Sequence, residues 1–406
     1  MNVPMMNMKT DSPDFWKDPY AYLEEARQSN PWIARFQQGY IVYGFDEMVK
    51  LLTDEENLRI GYGMIIDFYG VRGTMWARFM DEMMLAVSGD VHRQLRNSVS
   101  RAFTPRRANR ERETMRRVVG QLLDKWAPLG SFDFAEFAAH FPISVMCALL
   151  GVSTDELPEI LSALENHTRS LTFDPAAKPY FMAGWDVLWA FADRTVKARE
   201  KSGLGDPDSL LDTLIETKNS GELDETNLRF MLILLLIAGY DTSKNQLTVT
   251  MNLLLDRPEM YARCAEDLQF CRAVTEESLR HSSVVSNYRF ALRDFTYNGV
   301  QFREGDTLVM ALPLGDRDPS IFDDPGEFRP GREKVNHHLA FGRGAHICLG
   351  QFLARNQLQE GLHLIAQRLK NPARAGRVEW RPFLGVGGIK SLPVKFSDAR
   401  APDAVS

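Results

Sequence analysis

Cysteine is scarce in this chain, with four in 406 residues, at positions 147, 264, 271 and 348. None falls in a CxxC spacing, which excludes a zinc-finger or disulfide framework and fits a reducing cytoplasm. Long apolar runs are missing as well. The longest, Phe230 to Ala238, has nine residues, against the roughly 20 that a membrane-spanning helix needs. The stretch Met1 to Asp14 is polar, Met-rich and broken by proline, without the apolar core of a signal peptide. A soluble, cytoplasmic protein without a membrane anchor is expected. There is no repeat, low-complexity tract or clear linker, although length alone suggests two or three domains. A net charge of −6 gives no reason to expect nucleic acid as a partner.

The composition is otherwise that of a large globular core, 44% hydrophobic. Charge is unevenly spread: Arg101 to Arg117 holds seven arginines, at 101, 106, 107, 110, 112, 116 and 117, against Glu111 and Glu113. Such a patch can steer an acidic partner, or it can be a solvated helix face with local ion pairs. Along the chain, residues 16–30 read as a short helix and Trp32 to Phe45 as a hairpin turning near Gly39. Residues 55–88 read as a long irregular, apolar segment. Helical patterns run from about 89 to 218. Asp224 looks like the N-cap of a helix reaching Leu255, apolar all round its middle and so a buried central helix. Phe295 to Met310 alternates about Asn298-Gly299, a hairpin signal. A proline-rich meander, Asp316 to Arg332, precedes a glycine-rich loop and a final helical pattern, Leu349 to Leu369. The fold class expected is mainly α with small antiparallel sheets.

That loop, Phe341-Gly-Arg-Gly-Ala-His-Ile-Cys-Leu-Gly350, sets Cys348 directly before a helix, where free N–H groups and the positive dipole end favour a thiolate. Gly342 and Gly344 permit the turned backbone, and Gly350 lets a flat partner come close. The nest suits a thiolate that ligates iron in a macrocycle; a buried structural cysteine is the other use of the same residue. Within the central helix, Ala238-Gly-Tyr-Asp-Thr242 interrupts an apolar face with an acid and an alcohol, which is costly unless they are paired or useful. Glu277 and Arg280 share a helix face at i, i+3. The same spacing recurs at Glu24/Arg27, Glu56/Arg59 and Glu113/Arg116, where surface pairing is the natural explanation.

Together these motifs resemble the cytochrome P-450 (haem-thiolate monooxygenase) family, with Phe341, Gly344, Cys348 and Gly350 matching its cysteine loop. The resemblance covers roughly residues 15–397 and implies a single domain there, with flexible segments at 1–14 and 398–406. It implies that haem b is held between the central helix and the cysteine-bearing helix, with Cys348 as the axial ligand of the iron. By the same resemblance, Thr242 would position dioxygen and water and Asp241 would gate proton delivery. Glu277 and Arg280, with an arginine of the meander, Arg332, would lock the core structurally. His92, Arg96, Arg289 and His346 would pair with the haem propionates. Arg343 stands where bacterial relatives often carry His, and His281 to Val285 lacks the proline many relatives have there.

The activity implied is reductive activation of O2 and hydroxylation of a lipophilic small molecule, a terpenoid, steroid or aromatic compound. Electrons would come from NAD(P)H through a reductase and a ferredoxin or flavodoxin docked on Arg101 to Arg117 with Arg343 and Arg355. Candidate pocket residues are Phe68, Tyr69, Trp76, Met80, Met84, Phe173, Leu235, Ala238, Val284, Val285, Asn287 and Val386; the same types at these spacings also serve as plain core. Two other readings share the loop: a haem-thiolate peroxygenase or isomerase, which has less need of an acid–alcohol pair, and a haem sensor or redox protein without turnover.

Overall fold

The computed structural model describes residues 3–155, 157–206 and 209–398. Its axis is the helix Glu225–Leu255, 31 residues long and about 46 Å at 1.5 Å per residue. Asp224 caps it, the carboxylate accepting the Asn227 N–H at 2.7 Å. Because Leu232, Ile233, Leu236 and Met251 are all buried, the helix has no solvent face through its middle and is packed from several sides. Phe134–Leu150, Lys178–Ser202 and Gln351–Arg368 supply that packing. The last of these starts just after the cysteine loop, as its sequence pattern predicts.

A five-stranded sheet flanks the helical body, in the order Ile33–Phe36, Gly39–Val42, Thr307–Met310, Asn287–Ala291, Leu58–Arg59. Tyr40 pairs with Leu308 in parallel, and Arg289 pairs with Leu308 antiparallel. The Asn298-Gly299 turn is present, with φ of 44° and 79°, the left-handed pair that a type I′ hairpin requires. It joins only Phe295–Tyr297 to Val300–Phe302. Thr307–Met310 leaves that hairpin for the large sheet, so the alternation read as one hairpin is split between two sheets.

Residues 55–88 are not irregular. They contain a short strand and the helices Gly63–Tyr69 and Met75–Glu82, the second capped by Thr74. Within the lead-in expected to be flexible, Met6 and Met8 bond to the first strand of the sheet. The Met8 N–H donates to the Arg35 carbonyl at 2.8 Å, Arg35 N–H donates to Met6, and Met8 is buried. Of the expected tail 398–406, all but the backbone of Asp398 lies outside the described residues. Among the described residues no helix is long and apolar enough to cross a membrane.

Two buried histidines in this frame carry a consequence. Burial pushes His167 down to about 4 and His281 down to about 2, the latter with Arg317 and Arg280 adding repulsion. A histidine depressed in the folded state binds its proton preferentially in the unfolded chain. The stability it contributes is therefore complete above pH ~6.5 and is lost as pH falls below it, at about 1.4 kcal/mol per pH unit for each group. Urea midpoints should accordingly fall steeply between pH 6.5 and 5, and His167→Phe should flatten that slope. An unchanged slope in the variant would remove His167 from the account.

Candidate active site

The cysteine loop turns through Gly342 and Gly344, at φ of 70° and 77°. A Cβ added at Gly344 would lie 3.1 Å from Thr53 Cγ2 and 3.3 Å from the Leu52 carbonyl, so only glycine fits this close approach to the helix Phe45–Thr53. The Cys348 N–H closes the loop on the Phe341 carbonyl at 2.8 Å. Phe341 is clamped: the Arg355 guanidinium stands 4.4 Å from its ring and the His338 ring 5.8 Å away. Glu276 holds both clamps, at 2.8 Å to Arg355 and 3.2 Å to His338. Burial raises the Cys348 thiol above its ordinary value; the Gly350 N–H, Arg96 and Arg355 pull the other way without reversing it. The helix end and the two guanidiniums favour the thiolate expected from the sequence but do not by themselves secure it against burial. A bound cation would, since a coordinating thiol loses its proton.

Cys348 and Thr242 open onto one shared cavity, walled by the central helix, the cysteine loop and the helix Gln351–Arg368. On the central helix, Ala238 is exposed towards this space although it lies mid-chain in the core. Thr242 Oγ1 donates back to the Ala238 carbonyl at 2.9 Å. Gly239, which lines the cavity, also makes room for Met146, since a Cβ there would fall 2.7 Å from Met146 Cγ.

Asp241 points away from solvent into an ionic contact that the sequence did not reveal. Arg381 Nη1 donates to its Oδ1 at 2.6 Å, and Asn245 Nδ2 donates to the same oxygen at 2.9 Å. The second Arg381 nitrogen reaches Thr168 at 3.1 Å. A neighbouring cluster joins Tyr240 and Lys244 to Glu165, with 2.6 Å from the tyrosine hydroxyl to the carboxylate. Asn245 is legible from its i+4 spacing to Asp241. Arg381, 140 residues away in the loop of the hairpin Glu379–Trp380/Ile389–Ser391, carries no local signal.

His92, Arg96, Arg289 and His346 come together as the resemblance requires. The two imidazoles are 4.1 Å apart, and Arg96 Nη2 donates to the Ile347 carbonyl at 2.8 Å. His92 and Arg289 are buried, and among the described residues Arg289 bonds only a backbone carbonyl, that of Tyr288 at 3.0 Å. Burial lowers all four, and the cationic neighbours lower the histidines further: His346 falls to about 3 and Arg289 to about 10. His346 Nδ1 is buried without a partner. Four cationic or proton-accepting groups facing one another, one with an orphan nitrogen, fit the two carboxylates of haem. Gly350 supports the fit, since it lines the cavity with open space where a Cβ would stand.

The Glu277–Arg280 pair is fully buried. Arg280 Nη2 donates to Glu277 Oε1 at 2.6 Å and Nε to Oε2 at 3.1 Å. Arg332 reaches Oε1 at 3.4 Å, and the Arg329 N–H donates to it at 2.8 Å. The guanidiniums also satisfy meander carbonyls, those of Pro325 and Glu327 from Arg280 and those of Asp324 and Glu327 from Arg332.

Of the expected pocket residues, Met84, Leu235, Ala238, Val284, Val285 and Asn287 line the cavity. Trp76 and Met80 do not; they are core, Trp76 packed on Phe181 at 4.6 Å. Phe68 is half-exposed and meets Tyr69 and Phe173 edge-on away from the cavity wall. Val386 stands behind the wall, bridged to Val285.

A family model described as Cytochrome P450 matches residues 68–378. The luteothin monooxygenase of Streptomyces thioluteus is 33% identical over 98% of this chain and 97% of its own length. The monooxygenase PikC of Streptomyces venezuelae is 28% identical over 98% and 95%. Among solved structures, P450BioI in complex with an acyl carrier protein bearing hexadec-9Z-enoic acid superposes with a TM-score of 0.86. It is 26% identical and covers 95% of this chain and 100% of that one. Likeness of this extent, on top of the loop, the cavity and the buried cluster, settles the family: the chain is a cytochrome P450, a haem-thiolate monooxygenase.

Proposed function

We propose that this enzyme hydroxylates a lipophilic small molecule of terpenoid, steroid or aromatic type, held in the apolar cavity beside Thr242. The observation that carries the reading is the shared cavity: Met84, Leu235, Val284 and Val285 face the same space as Cys348 and Thr242, with few polar groups among them. Haem bound through Cys348 supplies the reductive activation of O2, and His92, Arg96, Arg289 and His346 hold its carboxylates. The rest falls to side chains. The apolar wall excludes water and orients the substrate. The Thr242 hydroxyl can turn its proton from the Ala238 carbonyl into the cavity, and Asp241 would relay a replacement proton taken up from solvent.

A titration of the ferric protein against these compound classes should give a saturable spectral shift with one of them. No shift with any class, but a shift with an acyl chain tethered to a carrier protein, would replace free presentation by carrier delivery, as in the P450BioI complex. Asp241→Asn should leave that shift in place and lower turnover by about 10²–10⁴-fold, the usual share of general acid catalysis. An equal loss of substrate affinity would make Asp241 structural.

Electrons are proposed to come from NAD(P)H through an acidic ferredoxin or flavodoxin. Much of the arginine patch is already committed: Arg112 and Arg116 each hold buried Glu360 at 2.6 Å, Arg107 pairs with Glu111 at 3.1 Å, and Arg355 holds Glu276. Arg101, Arg106 and Arg117 are exposed and support the docking role better. Arg101→Glu with Arg106→Glu should slow reduction by the partner on the order of tenfold at low salt, a difference that closes as salt rises. An unchanged rate would move the docking face elsewhere.

A further inference from the structure

Behind the wall of the main cavity lies a second cleft, between the N-terminal helices, the far half of the central helix and the C-terminal hairpin. Four rings line it, Trp16, Tyr20, Trp380 and Phe383, with Leu253 of the central helix among them. The polar ends of the first two are engaged elsewhere. Trp16 Nε1 donates to the Thr10 carbonyl at 2.9 Å, and the Tyr20 hydroxyl donates to the His281 carbonyl at 3.0 Å. Their rings are left as apolar wall. Among the described residues no carboxylate lines the cleft, whereas two cations do, Lys17 and Arg381. Arg381 is committed to Asp241 and Thr168. Lys17 is exposed at the outer edge and makes no ion pair among the described residues. At the inner end stands Ser283, 7% exposed, whose hydroxyl has no partner in the protein. A buried hydroxyl is costly to leave unbonded. Ser283 and Val284 also belong to the wall of the main cavity. The Gly387 N–H donates to the Val284 carbonyl at 2.8 Å and ties this partition to the hairpin.

We propose that the cleft is an effector site for a small aromatic carboxylate with a polar group at its far end. The aromatic ring packs among the four ring side chains. The carboxylate pairs with Lys17 at the mouth, and the far polar group bonds the Ser283 hydroxyl. A molecule seated there presses on Val284 from behind and changes the space open to an occupant of the main cavity. The two sites are then coupled, and the coupling is reciprocal. Binding in the cleft stands on the cleft alone; the coupling rests on the reading of the main cavity as the haem and substrate site.

The probe is para-coumarate, which carries a carboxylate at one end and a phenol at the other. Crystals of the holoenzyme soaked in it should show it in the cleft, and calorimetry should give saturable binding. Cinnamate, which lacks the phenol, should bind about three- to tenfold more weakly, and Ser283→Ala should abolish that difference. Lys17→Gln should weaken coumarate by about two- to fivefold. Leu253→Trp, which fills the cleft, should abolish its binding. Phenylimidazole ligates haem iron from within the main cavity and so reports the coupling without a known substrate. Its affinity should change by about fivefold or more under saturating coumarate, and should not respond to coumarate in Leu253→Trp. Coumarate seated only in the main cavity, coumarate binding unimpaired in Leu253→Trp, or a phenylimidazole affinity that coumarate does not move would each overturn the proposal. A holoenzyme that oxidises no compound would count against the monooxygenase reading instead, and these binding measurements would still decide the effector site.

Discussion

Cys348→Ser should fold as the parent does and make no product. The substitution leaves the loop's closing bond intact, because that bond runs from the backbone N–H of residue 348 to the Phe341 carbonyl at 2.8 Å. It also keeps the Phe341 clamp built by Arg355, His338 and Glu276, none of which uses the sulfur. What it removes is the only soft ligand that the loop presents to the cavity. A serine hydroxyl does not give up its proton to haem iron as a thiol does, and the electron push that favours O–O cleavage goes with the thiolate. The reduced carbon monoxide complex should lose the red-shifted Soret band of thiolate ligation, and substrate oxidation should fall to background. Unfolding should be unchanged in the apoprotein. Product formation by the serine variant at more than a few per cent of the parent rate would mean that another group ligates the iron.

The second large effect is on stability. Glu277→Gln should cost about 3–5 kcal/mol, the usual result of breaking a buried pair from one side, out of the ~5–15 kcal/mol that holds a folded protein. Glu277 is fully buried and its Oε1 alone accepts from Arg280, Arg332 and the Arg329 N–H. Removing its charge strands two guanidiniums among meander carbonyls. Because the meander leads into the cysteine loop, Asp316 Oδ1 accepting the Leu339 N–H at 2.7 Å, the loop should lose its shape as well. The variant should be recovered with little haem and a much lower urea midpoint. Glu24→Gln, at the same i, i+3 spacing but with a mostly exposed carboxylate, should change the stability by less than about 1 kcal/mol and barely move the midpoint. Equal midpoints for the two variants would show that the Glu277 cluster is not a lock.

The contrast between these two glutamates shows what could be read from the chain. Spacing alone does not distinguish Glu277/Arg280 from Glu24/Arg27; position ahead of the cysteine loop does. The central helix was legible because a cap at Asp224, a continuous apolar stretch and a following Pro258 agree over 31 residues. The cysteine loop was legible because glycine, cysteine and aromatic needs are all local. Residues 63–82 were not: two helices of seven and eight residues are too short for a period to emerge from a Met- and aromatic-rich stretch. Trp76 and Met80 look like pocket residues for the same reason that they are core, since both places want large apolar side chains. The Arg381–Asp241 bond is a tertiary fact between positions 140 residues apart, and nothing near Arg381 announces its partner.

Where the oxygen goes tests the monooxygenase chemistry most directly. A compound that gives a saturable spectral shift should be turned over with NAD(P)H, a reductase and a ferredoxin under isotopically heavy dioxygen. One heavy oxygen atom should appear in the product, with strict dependence on the electron donor. Oxygen derived from solvent water, or product formed only with added peroxide, would contradict it.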